Sequence, residues 1–188
     1  MNLIIFGPPG AGKGTQSTFI AKKYNLFQLS TGKILRDQVK AKTDLGAKIS
    51  PLINSGSFVS DEIVSELIEK IIKEENYKDK IIFDGYPRSL SQARNLDNLL
   101  KKYTQKIDIV LKLSVSFKTI KKRISERRTL ENRPDDNEDI AIKRYKTYEK
   151  STEPVIEYYK KLNLLKVIDG ERSIDQINKE ISDIISLI

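Results

Sequence analysis

The chain of 188 residues contains no cysteine and no histidine. Without cysteine there are no disulfides, no thiolate metal sites and no thiol nucleophiles, a composition compatible with a reducing compartment. Without histidine, Ser-His and Cys-His machinery is excluded, together with the commonest general base near neutral pH. Phosphoryl transfer stays open, because an acceptor that is itself a phosphate attacks through an oxygen already ionised and needs no base. Long hydrophobic runs are missing as well, and no stretch approaches a membrane span. Met1 and Asn2 lead straight into an apolar run, with neither a basic segment nor a small-residue cleavage site, so no secretory leader is expected.

What is present is an ordinary soluble balance, 38% hydrophobic against 32% charged, in a length that predicts one domain with a real core. A net charge of +8 suits an anionic partner, either nucleotide phosphates or a nucleic acid backbone. Much of the lysine is spread over helical stretches as solvated surface, so charge by itself favours neither.

Apolar, β-prone runs recur at Leu3 to Phe6, Leu26 to Leu29, Ile81 to Phe83, Ile107 to Leu113 and Leu164 to Ile168, separated by longer amphipathic stretches. The alternation predicts an α/β fold: a five-stranded parallel sheet with helices on both faces, right-handed crossovers and ligands at the carboxyl ends of the strands. Between the second and third runs, Ser30 to Lys80 is too long for one crossover and reads as three short helices, starting at Ser30 or Thr31, near Leu45, and at Ser60. Late in the chain Asp139 to Leu162 reads as a long helix that Pro154 should kink or restart. Ser173 followed by Gln176 reads as a capping box opening a terminal helix.

Chemistry concentrates first in Gly7-Pro8-Pro9-Gly10-Ala11-Gly12-Lys13-Gly14-Thr15, between an apolar run and a helical pattern from Gln16 to Lys23. Glycines let the backbone turn tightly and aim N–H groups inward, the next helix presents its positive end, and the lysine can reach β- and γ-phosphates. Gly7, Gly12 and Lys13 fit the G-x-x-x-x-G-K spacing, although Gly14 stands where Ser or Thr is usual and Thr15 comes one residue later. An unliganded turn would need one or two glycines rather than four around a lysine.

Asp84, at the end of the third apolar run, is placed to help position magnesium, directly or through water. An aspartate there also caps turns. Arg123 and Arg127 share a helical face. Arg128 and Arg133 flank or lie in a polar, proline-containing stretch, Thr129 to Glu138, read as a surface loop that could close on polyphosphate, with Arg144 beyond it.

These residues in this order resemble an adenylate kinase of the short-lid type. The likeness covers essentially the whole chain, from Gly7 to Thr15 through Leu29 to Gly32, Arg36, Gly56 to Val59, Asp84 to Arg88 with Gln92, the arginines from Arg123 to Arg144, and Asp169 with Gly170. It implies a P-loop core with a helical AMP-binding lobe over residues 30–59 and a short lid over 127–134. It further implies reversible transfer of the terminal phosphoryl group of magnesium ATP to AMP, giving two ADP, by a cytoplasmic monomer that engages neither membrane nor nucleic acid.

By that resemblance Gly10, Ala11, Gly12, Lys13, Gly14 and Thr15 hold the ATP phosphates, Arg123 lies beside the ATP adenine, Arg127 meets its phosphates and the backbone near Arg172 meets the adenine edge. Thr31, Arg36, Ser57, Phe58, Val59, Gly85, Tyr86, Pro87, Arg88 and Gln92 correspond to the AMP site, and Arg133 and Arg144 reach across the transferred group. Lys13, Arg88, Arg127, Arg133 and Arg144 would carry the catalysis, with Mg2+ near Asp84.

Related enzymes phosphorylate UMP or CMP, and the Gln92 amide could serve adenine in one orientation or guanine in the other. Thr31 goes with adenine by resemblance, whereas pyrimidine-specific relatives tend to carry Ala. Ser89 with Gln92 also reads as a capping box that needs no ligand. Three departures stand out. Lys33 replaces a usual acid, Tyr86 a commoner Phe, and the lid lacks both the longer bacterial insertion and the cysteines for a structural zinc. A basic, non-catalytic P-loop protein that binds nucleic acid is the rival from another class, but the arginines do not alternate with exposed aromatics.

Overall fold

A computed structural model describes residues 1–55, 57, 59–131 and 138–188. Five strands, β1 (Leu3–Phe6), β2 (Phe27–Ser30), β3 (Ile81–Asp84), β4 (Ile109–Ser114) and β5 (Leu165–Asp169), form one parallel sheet in the order β2-β3-β1-β4-β5. β1 lies at the centre, and all four of its residues are buried. Its side chains alternate between layers: Ile4 and Phe6 join the core that holds Leu29, Phe83 and Tyr159, while Leu3 and Ile5 join the core that holds Ile20, Ile82 and Ile181. A strand covered on both faces needs apolar residues at every position, which is why Leu3 to Phe6 reads as a continuous run.

The helices are α1 (Lys13–Tyr24), α2 (Thr31–Lys40), α3 (Asp44–Asn54), α4 (Asp61–Ile72), α5 (Leu90–Lys102), α6 (Phe117–Glu131), α7 (Glu138–Lys161) and α8 (Ile174–Ile185), with a 3-10 turn at Glu75–Tyr77. The excursion between β2 and β3 does hold three helices. α2 and α3 pack so closely that a Cβ on Gly46 would sit 2.1 Å from the Gln38 carbonyl oxygen. Ser173 and Gln176 form the expected reciprocal capping box at the start of α8.

Several boundaries differ from the sequence expectation. α1 begins at Lys13 rather than Gln16, because the left-handed Gly12 (φ 93°) already turns the chain into the helix. β2 begins at Phe27, since the Leu26 N–H still closes the end of α1 on the Ala21 carbonyl at 2.9 Å. Thr129 is helical and not loop, for α6 runs through Glu131 without a glycine or proline to stop it. α7 continues past Pro154 as one helix and is not restarted there. A proline in a helix interior costs about 3 kcal/mol, and the burial of Val155, Ile156 and Tyr159 immediately after it offsets that cost.

Candidate active site

The loops that follow β1, β3 and β5 open at one edge of the sheet, and the chain reverses direction across the sheet beside β1, the place where open α/β sheets gather ligands. In the first loop Gly10 (φ 84°) and Gly12 (φ 93°) adopt conformations that other residues resist. Gly10 also has no room for a side chain, since its Cβ would meet Ile124 at 2.9 Å. The first turn of α1 has no side-chain cap and no acidic residue, which leaves its N–H groups and positive dipole end for an anion.

Lys13 curls back over this loop, donating to the Gly7 carbonyl at 2.6 Å and the Pro8 carbonyl at 3.0 Å. Burial pushes its ammonium down to about 8, opposed by Asp84 and reinforced by the positive charges of Arg88, Arg144 and Arg127. The site is a concentration of cations that repel one another, an arrangement suited to a polyanion.

Two clefts meet here. The larger, about 720 Å³, is lined by Gly10 to Thr15 together with Asp84, Arg123, Arg127 and Arg172. The smaller, about 130 Å³, is lined by Ser57, Val59, Gly85, Pro87, Leu35 and Tyr148 among others. Lys13, Arg36, Arg88 and Arg144 line both, so the cations form the wall the clefts share.

Each side is braced by its own hydrogen bonds. On the larger side Arg123 donates to the Ala11 carbonyl at 3.4 Å and the Gly170 carbonyl at 2.9 Å, tying the loop after β1 to the turn after β5. Arg172 pairs with Glu180 and with Asp169. Glu171 accepts from the Ser116 N–H at 2.5 Å and the Thr119 hydroxyl at 2.6 Å, fixing the start of α6. On the smaller side the Gly85 carbonyl accepts both from Arg88 Nε at 2.6 Å and from the Thr31 hydroxyl at 3.0 Å. Lys143 crosses from α7 to the Ser55 carbonyl at 2.8 Å and the Ser57 hydroxyl at 3.3 Å.

Asp84 is buried at the end of β3, and its Oδ2 accepts from Gln28 Nε2 at 3.3 Å. A Cβ on Gly14 would lie 3.9 Å from the same oxygen, which places the carboxylate beside the first turn of α1. Among the described residues no group of three acidic side chains could hold a metal on its own. A single carboxylate beside an anion-binding turn fits Mg2+, which keeps several waters and takes its remaining ligands from phosphates.

Not every expected residue faces a cleft. Tyr86 is 1% exposed, with its hydroxyl on the Gln92 carbonyl at 3.3 Å, so its ring belongs to the core. Thr31 and Gln92 are buried behind the lining. Ser89 accepts from the Gln92 N–H, but the Gln92 side chain bonds to the Arg88 N–H instead of returning to Ser89, so the expected box is only half formed. Gly56, Phe58 and Arg133 lie outside the described residues.

Four residues escaped the sequence reading. Gln28 joins the Thr18 hydroxyl to Asp84. Tyr148 and Thr152 line the smaller cleft on α7, four and eight residues after Arg144, a helical spacing that could have revealed them. Asp61 contacts Gln92 and Ser89.

Residues 5–164 match the family model described as adenylate kinase. Among curated relatives, the adenylate kinase of Pelagibacter ubique is 47% identical, with all of both chains covered. That of Petrotoga mobilis is 39% identical over 98% of this chain and 97% of its own. That of a Caulobacter species is 39% identical over the whole of both chains.

Proposed function

The chain belongs to the adenylate kinase family and is an ATP:AMP phosphotransferase, and on that premise we propose how its residues divide the work. ATP occupies the larger cleft, with its phosphates on the N–H groups of Gly10 to Thr15 and its base beside Arg123 and the backbone near Arg172. AMP occupies the smaller cleft, against Gly85, Pro87, Arg88, Ser57 and Val59. The observation that carries this division is the shared wall of Lys13, Arg36, Arg88 and Arg144.

Two phosphate chains brought within attack distance repel each other, and fixed cations offset that repulsion while stabilising charge in transit. Lys13 leaves the Gly7 and Pro8 carbonyls to follow the moving group, and an arriving polyanion restores its proton affinity. Arg88 holds the acceptor phosphate, with its guanidinium already aligned by the Gly85 carbonyl. Arg127 and Arg144 complete the collar, and Arg133, outside the described residues, is assigned the same role. The acceptor phosphate oxygen attacks without a base, in keeping with a chain that has no histidine. Mg2+ would be held by Asp84 through water together with the ATP phosphates, and would offset their negative charge.

Residues 30–59 act as the AMP-binding lobe and 127–134 as the lid, whose closure excludes water that would otherwise hydrolyse ATP. The reading takes the working unit to be a monomer. No described helix is long and apolar enough to cross a membrane. A cytoplasmic location and the absence of a nucleic acid partner complete this reading.

The test is a coupled assay for ADP formation from ATP with AMP, UMP or CMP. AMP is expected to be the preferred acceptor, and a preference for UMP or CMP would overturn the acceptor assignment. A five-phosphate mimic joining two adenosines is expected to compete with both substrates.

A further inference from the structure

Gln92 is buried, and its side-chain amide is already half committed. Its Nε2 donates to Asp61 Oδ1 at 2.6 Å, and its Oε1 accepts from the Arg88 N–H at 2.7 Å. Both partners are one-way: an ionised carboxylate only accepts and a peptide N–H only donates. The two ends of an amide are ordinarily interchangeable in shape, and their assignment follows from what surrounds them. Here the surroundings permit one orientation. Turning the amide over would set a carbonyl against the carboxylate and an NH2 against an N–H, losing two hydrogen bonds and adding two repulsions.

We propose that Asp61 is the positioning residue that fixes which way round the Gln92 amide sits, and thereby lets the acceptor site distinguish adenine from guanine. The inference rests on Gln92, which lies behind the lining of the smaller cleft next to Arg88 in the unliganded structure, becoming the contact to the acceptor base once the acceptor is bound. An amide offers two N–H donors and two lone pairs. After Asp61 and Arg88 each take one, a single donor and a single acceptor remain. Adenine presents N1 as acceptor and N6 as donor, while guanine presents N1–H as donor and O6 as acceptor. For one placement of the purine ring, an amide that cannot turn over satisfies one of these edges and opposes the other.

Asp61 is held in turn. Ser89 places its hydroxyl 3.4 Å from Asp61 Oδ2 while accepting from the Gln92 N–H at 3.2 Å, so the first turn of α4 and the first turn of α5 lock the same amide. Because Gln92 also grips the Arg88 N–H, the lock extends to the arginine assigned to the acceptor phosphate. Asp61 also sits in the first turn of α4, where an acid favours the helix, and Glu62 beside it can serve that purpose alone.

The experiment is steady-state kinetics of the full-length protein with ATP and either AMP or GMP, for Asp61→Leu, Asp61→Asn, Gln92→Leu and the double variant Asp61→Leu/Gln92→Leu. Asp61→Leu is expected to lower the AMP-to-GMP ratio of kcat/KM by about tenfold, chiefly through KM. Asp61→Asn, which keeps an acceptor oxygen, should retain most of that ratio. Adding Asp61→Leu to Gln92→Leu should change the ratio no further. If Gln92→Leu lowers the ratio but Asp61→Leu leaves it within about twofold of the original, the proposal is overturned while the base contact stands. If Gln92→Leu itself leaves the ratio and the AMP KM unchanged, the base contact is wrong and the proposal falls with it. Should Asp61→Leu fail to fold, Asp61→Ser, too short to reach the amide, carries the same comparison.

Discussion

The two sides of the shared wall are built on different plans. On the proposed division, the larger cleft takes its anion site from one short stretch, Gly7 to Thr15, where uncapped main-chain N–H groups at a helix end hold the phosphates and one lysine reaches them. The smaller cleft is assembled from distant pieces: the Gly85 carbonyl ties Arg88 to Thr31 behind the lining, and Lys143 ties α7 to Ser55 and Ser57. A site made of backbone leaves no room for a Cβ at its tightest point, Gly10, but is encoded locally. A site made of side chains depends on the packing of the helices that carry them.

The sharpest way to break the contrast is to remove one cation from each plan. Arg88→Ala and Lys13→Met are each expected to cut kcat/KM by on the order of a hundredfold or more, measured with ATP and AMP. They should part company in the unliganded fold: Lys13→Met, which removes a charge held against its neighbours, should leave thermal stability unchanged or raised. An unaltered kcat/KM for either variant would remove that residue from the transfer step.

Gly46→Ala comes next, because its Cβ must displace the Gln38 backbone of α2, against which α3 packs. It is expected to destabilise the protein by about 1–3 kcal/mol in urea unfolding. If the smaller cleft depends on this packing, the KM for AMP should rise while that for ATP holds.

A pH series separates the plans more gently. Lys13 has a folded value of about 8 against an ordinary 10.5, so between these the unfolded chain binds more protons than the folded one. Stability from this group therefore increases as pH rises through that window and is flat below it. The wild-type protein should gain melting temperature there relative to Lys13→Met, and parallel curves would show that Lys13 is not the group responsible. The smallest effect is expected from Thr31→Val. It deletes one hydrogen bond to Gly85 worth about 1 kcal/mol, and should lower kcat/KM for AMP by about fivefold.

The same contrast explains what could be read beforehand. β1, the glycine loop and the start of the terminal helix were legible because apolar runs, glycine spacing and a Ser-to-Gln cap are local signals. The helical identity of Thr129 to Glu131 was missed because polar residues suit either a loop or an exposed helix, and only the absence of a breaker distinguishes them. The helix does not restart at Pro154, because the proline's cost is offset by tertiary packing that no local window contains. Asp61 and Gln28 were invisible for another reason. Their partners lie 31 and 56 residues away, and an aspartate at a helix start or a glutamine in a short strand is unremarkable until the chain is folded.

The bridge from Lys143 to Ser55 and Ser57 has a mechanical meaning. It fastens the chain just after α3, midway through the excursion between β2 and β3, to the residue preceding Arg144, so any outward swing there must first unhook an exposed ammonium. On the proposed division of the clefts, entry of one substrate and readiness of Arg144 are thus tied to a single latch, and one that water can loosen.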